Sequence, residues 1–175
     1  MSESVPPTHT FTQIDDADLT GLNTLGLPAR AQRLARPTTL DALSQVLAER
    51  NPAEPLFVIG EGSNLVICSD LPGLTLSLAI DGMSLVKQDN THVWVAAGAG
   101  VHWDDLVAWT VEQGWQGLEN LSLIPGTVGA APFQNIGAYG VELSQLLEQV
   151  TVMDVVTAQV THFAGNECEF AYRDS

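Results

Sequence analysis

A chain of 175 residues with 45% hydrophobic types is long enough to bury a core, as one domain or two small lobes, and too apolar to be disordered throughout. Its 21 acidic residues face six basic ones, a formal net charge of −15 that excludes a cationic nucleic-acid footprint. Arg30, Arg33, Arg36, Arg50, Lys87 and Arg173 are the whole cationic inventory, so an anionic ligand must lean on backbone N–H groups.

Residues 1–20 carry Pro6, Pro7, Asp15, Asp16 and Asp18 without a sustained period, which predicts a loose leader and ordered structure from about Asn23. They lack the positive start and apolar centre of a signal peptide, and no later stretch has the length of a membrane span. The expectation is a soluble cytoplasmic protein with no membrane or protein partner. Leu40, Leu43, Val46 and Leu47 recur at helical spacing between Thr38 and about Arg50, with Thr38 or Thr39 as N-cap and Asn51-Pro52 as the stop.

Two short apolar runs, Pro55 to Gly60 and Leu65 to Cys68, predict buried strands flanking the turn EGSN. Leu74 to Ile80 predicts another strand, and Leu85 to Lys87 with His92 to Ala97 a hairpin around QDN. A helix is expected from Val101 to about Gln113, closed by Gly114. Gly117 to Gly140 is too rich in glycine, proline and small residues for either regular period and predicts a long ordered loop with a short helix inside. Gln149 to Val156 and Gln159 to Phe163 read as strands joined near Thr157 and Ala158, and GNECEF as one helical turn.

Several patterns bear on chemistry. GEGSN, after a buried strand, is able to aim several amides at one anion, but an ordinary tight turn has the same composition. Gly98-Ala99-Gly100 starts like a dinucleotide fingerprint, yet Trp103 stands where the third glycine belongs, so that reading is rejected. The stretch from Leu123 to Gly140 permits close backbone approach, with Gln134, Asn135 and Tyr139 as polar groups; it is either a packed loop or a functional one. His9, His92, His102 and His162 are scattered and Cys68 and Cys168 lie far apart, so neither a metal site nor a disulfide is expected. Arg30, Arg33 and Arg36 read as a solvated edge, and Arg173, the only basic residue in the second half, as one partner of a structural ion pair with Asp174 or another carboxylate.

Taken together, NTLGLPA (23–29), GEGSNL (60–65), GLENLSLIPGTVGAAPFQNIGAYG (117–140) and FAYRDS (170–175) resemble, in order and spacing, the MurB family of flavin-dependent reductases. The resemblance implies an α+β fold, a two-lobed FAD-binding domain of the PCMH/VAO type. Its first lobe would cover 21–82 and its second, truncated, 83–175, with the substrate-binding domain absent. It assigns Gly60, Glu61, Gly62, Ser63, Asn64 and Leu65 to the diphosphate-binding turn. Pro125, Gly126, Gly129, Ala130, Gln134, Asn135, Gly137, Ala138 and Tyr139 would run along the diphosphate, ribityl chain and flavin ring. Arg173 matches the arginine that stabilises an enolate-like intermediate.

The family's reaction uses NADPH and FAD to reduce the enolpyruvyl group of a UDP-sugar, giving UDP-N-acetylmuramate for peptidoglycan and hence for cell-wall growth, shape and division. The family's proton-donating serine and second stabilising glutamate would lie beyond residue 175, so the chain alone is expected to lack turnover. Alternatives are a flavin-binding module without chemistry, or another flavin oxidase of the superfamily, against which QNIGAYG argues.

Overall fold

The computed structural model describes residues 11–175. The fold is α+β. Its first half is a four-stranded sheet made of β1 (Phe11–Asp18), β2 (Arg30–Pro37), β3 (Leu56–Ile59) and β4 (Leu71–Ser77), in the order β1-β2-β4-β3. β4 is parallel to both neighbours, and Leu74, Thr75, Leu76 and Ser77 are all buried, as a strand covered on both faces requires. β1 adds antiparallel to β2 at the edge.

Helix α1 (Leu40–Glu49) begins where the Thr39 hydroxyl accepts the Ala42 N–H. Its Ala42, Leu43, Val46 and Leu47 are buried, and the three larger ones pack on Ala35, Leu74 and Leu76 of the sheet. Burying such side chains contributes about 1.5–3 kcal/mol each. The opposite face packs Ala17, Leu19, Ala29, Ala31, Leu34, Ile59 and Ile67.

The second half opens with the hairpin β5 (Met83–Gln88) and β6 (Val93–Ala97), whose turn is held by Asp89 accepting the N–H groups of Thr91 and His92, each at 2.7 Å. Helix α2 (Trp103–Glu112) ends at Gly114, whose φ of +76° allows Gly114 N–H to reach Val111 O and Trp115 N–H to reach Thr110 O. Val101, Trp103, Leu106, Val107, Leu121, Ala131 and Leu143 form the core, with the indole N–H of Trp103 donating to Leu121 O at 2.8 Å. Two short antiparallel pairs follow, β7 (Gly137–Ala138) with β8 (Val141–Glu142) and β9 (Gln149–Met153) with β10 (Val160–Ala164). Met153 and Ala158 reach back to the α1 core, joining the halves.

Four expectations are corrected. Residues 11–18 of the expected leader form β1; residues 1–10 lie outside those described. The arginine trio lies on strand β2, with Arg30 and Arg36 exposed as expected but Arg33 partly buried, and with Asp18 opposite Arg30, Asp15 opposite Arg33 and Thr12 opposite Arg36. Arg30 also pairs with Asp16 at 2.5 Å and Arg33 with Glu54, so these cations are used within the fold. Leu65 to Cys68 is irregular: the run between a tight turn and Asp70 is too short to pair, and only Ile67 is buried. β4 starts three residues earlier than expected, because Gly73 N–H is held by the Gln32 side chain and Leu74 N–H by Pro55 O.

Among the described residues, no helix is long and apolar enough to cross a membrane.

Candidate functional site

The turn after β3 and the glycine-rich stretch of the second half meet. Gly126 N–H donates to Glu61 Oε2 at 3.0 Å, and Ser63 Oγ donates to Pro125 O at 3.2 Å. A Cβ on Gly60 would sit 3.1 Å from Thr127 Oγ1 and 3.3 Å from Ala130 Cβ, so the turn packs closely on the side chains of Thr127 and Ala130. His102, just before α2, faces the other oxygen of Glu61.

The two segments supply different things. In the turn, Gly62 has φ +63°, and among the described residues the amides of Glu61, Gly62, Ser63 and Asn64 have no acceptor within the chain. Four successive free N–H groups around a left-handed residue form an anion-binding concavity. In the second segment, by contrast, the amides of Gly126, Val128, Gly129 and Ala130 are spent on Glu61, Val101, Ala99 and Thr127. That segment contributes shape and the first contributes donors.

The glycines follow the same division. Gly62 is buried, and a Cβ there would overlap Leu22 O and lie 2.7 Å from Asn23 Cα. The NTLG segment therefore props the turn from beneath, with Thr24 N–H directed at Gly62 O and the Asn23 side chain bonding Leu19 O and both polar groups of Leu27. A Cβ on Gly129 would come within 2.7 Å of Ala99 Cβ. Gly98 and Gly100, rejected above as a fingerprint, lie against the backbone of residues 78–81, where a Cβ on Gly100 would be 2.7 Å from Ala79 Cα.

Further along, a turn of 3-10 helix (Pro132–Gln134) leads into Asn135 at φ +42°. Asn135 is only 3% exposed, and its side chain is committed to the protein. Nδ2 donates to Glu142 Oε2 and Ala171 O, both at 3.1 Å, while Oδ1 accepts Ser144 N–H at 3.0 Å. Gln134 is half-buried without a side-chain bond among those described, and Tyr139 stands exposed at the tip of the β7–β8 turn. Leu65 is also exposed.

Arg173 belongs to the same neighbourhood. Ala171 and Asp174 bond each other's backbones across a two-residue turn, and Arg173 occupies it at φ +60°. A cleft of about 440 Å³ brings Arg173 together with Asn135, Gly137, Ala138, Val141 and Glu142. A larger open hollow, about 690 Å³, lies between residues 144–148 and 164–170, but it contains none of the glycine-loop residues. Glu148 and Glu169 on its wall are wrong for an anionic dinucleotide.

The residues therefore fit a dinucleotide: free amides for a diphosphate, a close-packed glycine wall, and one cation in a cleft continuous in sequence with that wall. His102 and Thr127 were not singled out from sequence, because each meets its partner, Glu61 and Gly60, across a contact distant along the chain; Glu142, seven residues from Asn135, carried no motif of its own.

Comparisons with known proteins agree with this geometry. A family model described as FAD binding domain matches residues 31–163. The UDP-N-acetylenolpyruvoylglucosamine reductase of Dechloromonas aromatica (strain RCB) is 50% identical over 160 residues, covering 91% of this chain and 47% of the relative. That of Azoarcus sp. (strain BH72) is 50% identical over 165 residues, covering 91% and 48%. The crystal structure of UDP-N-acetylenolpyruvylglucosamine reductase (MurB) from Thermus caldophilus superposes with a TM-score of 0.71 at 27% identity, covering 94% of this chain and 56% of that one. The chain spans about half the length of the curated relatives it matches. On the family match over most of its length, supported by the shared fold, the chain belongs to the FAD binding domain family.

Proposed function

We propose that this chain is the flavin-holding part of a cytoplasmic, NADPH-dependent reductase that converts UDP-N-acetylglucosamine enolpyruvate to UDP-N-acetylmuramate for peptidoglycan, and so serves wall growth, shape and division. The observation that carries the reading is the meeting of the Gly60–Asn64 turn with the Pro125–Ala130 wall, in a chain half identical to reductases of that name. Because those relatives are about twice as long, the reductase activity and the grip on the UDP-sugar are proposed for a protein of which these residues form the flavin part.

When bound, FAD supplies the two-electron chemistry. The turn amides of Glu61 to Asn64 hold its diphosphate, with Gly60 and Leu65 as the flanks. Pro125, Gly126, Gly129 and Ala130 give the wall its close approach. Gln134, Gly137, Ala138 and Tyr139 lie toward the flavin ring, and Asn135 holds that segment in shape. Reduction of the enolpyruvyl double bond builds negative charge beside the substrate carboxylate, and the Arg173 guanidinium is assigned to that charge.

Two measurements test this. The purified chain incubated with FAD and desalted should keep about one flavin per chain by visible absorption; a colourless protein refutes the site. In the full-length reductase, Arg173→Ala should lower kcat by about 10²–10³-fold, the usual size for a lost oxyanion donor, with flavin content unchanged. Parallel loss of flavin refutes the assigned role.

A further inference from the structure

We propose that His102 is a positioning residue for the dinucleotide phosphates: as a cation it neutralises Glu61, the carboxylate built into the anion-binding turn, and thereby sets the affinity for FAD. The inference rests on the reading that the free amides of Glu61 to Asn64 hold the diphosphate.

A carboxylate beside a diphosphate is electrostatically unfavourable unless something offsets it. Glu61 has an architectural task, since its Oε2 takes the Gly126 N–H and so ties the turn to the wall. Its side chain is only 28% exposed, and its Oε1 faces Nδ1 of His102. Among the described residues no lysine or arginine pairs with Glu61: Arg30 is used by Asp16, Arg33 by Glu54, and Lys87 sits 4.0 Å over the Trp94 ring.

His102 is held in place by backbone. It pairs with Thr127 in an isolated bridge, with Trp103 N–H donating to Gly126 O and Val128 N–H to Val101 O at 2.9 Å each. Its imidazole is 66% exposed. The charged groups around it are Glu61 from the turn and Asp104 and Asp105 from its own helix, of which Asp104 accepts Leu123 N–H at 2.7 Å. The 125–130 wall carries none.

The test is the dissociation constant of FAD, followed by flavin fluorescence from pH 5.5 to 8.5, for the wild type and for His102→Gln, His102→Arg and Glu61→Gln. The wild-type constant should rise about tenfold across that span, the effect of one opposite charge on a partly buried neighbour. His102→Gln should bind weakly at every pH. His102→Arg and Glu61→Gln should bind tightly with no pH slope. A flat wild-type profile with FAD bound overturns the inference and leaves the site reading standing, and this arm needs no variant to fold. A full slope retained in Glu61→Gln also overturns it. Absence of FAD binding at every pH overturns both.

Discussion

Asn135→Ala probes how the Arg173 turn is held to the glycine-rich segment. The substitution removes three side-chain bonds, to Glu142, Ala171 and Ser144, from a residue 3% exposed. At a net value of about 1 kcal/mol for each bond, that costs about 3 kcal/mol. The backbone adds to it, because φ is +42° and asparagine tolerates the left-handed region better than alanine, by about 1 kcal/mol. A loss of about 4 kcal/mol is a large share of the roughly 5–15 kcal/mol that stabilises a domain, and corresponds to a fall in Tm of roughly 8–16 °C. Asn135→Gly loses the same bonds without the backbone strain, so it should recover about 1 kcal/mol. Urea unfolding followed by tryptophan fluorescence gives both numbers. Alanine within 1 kcal/mol of wild type would refute the bonding argument, and glycine no better than alanine would refute the backbone part.

Two further expectations concern other parts of the fold. Gly98→Ala should cost about 3 kcal/mol or prevent folding, because its Cβ would overlap Ile80 O and lie 2.7 Å from Asp81 O, whereas Gly21→Ala meets nothing within 4 Å and should change stability by under about 1 kcal/mol; thermal melts compare them directly. The Asp154 carboxyl is held below the usual carboxylate range, chiefly by the backbone N–H of Thr157, then by that residue's hydroxyl and the Val156 N–H. A folded-state pKa below the unfolded 3.8 contributes stability that is present above pH 3.8 and lost as pH falls through the lower folded value. Asp154→Asn should therefore destabilise at pH 7 and approach wild type near pH 2 in urea titrations, and a difference independent of pH would count against it.

The elements legible in the sequence are those specified locally. Helix α1 has its Thr39 cap and a clean apolar spacing, and the β5–β6 hairpin has an Asp89 turn that organises itself. β2 was hidden because its buried residues do not alternate and lie among three arginines: Ala31 and Leu34, three apart, enter the same core. β1 was hidden because its Asp15 and Asp18 read as solvated charges until Arg33 and Arg30 stand opposite them. The site was legible as a set of glycine-bearing motifs, but not the division of labour among them. Gly62 and Gly129 are compelled by Asn23 and Ala99, neighbours that only the folded chain supplies.

Those long-range contacts also impose an order of events during synthesis. All four strands of the first sheet have been made by Ser77, whereas Gly126, the partner of Glu61, is made 65 residues after Glu61. At about 5–20 residues per second, that interval lasts roughly 3–13 s on a ribosome. Throughout it the turn carries a negative side chain and lacks its opposing wall, so on the proposed role of its amides the half-made chain has no finished diphosphate site. On that reading, cofactor loading follows the emergence and docking of the second half.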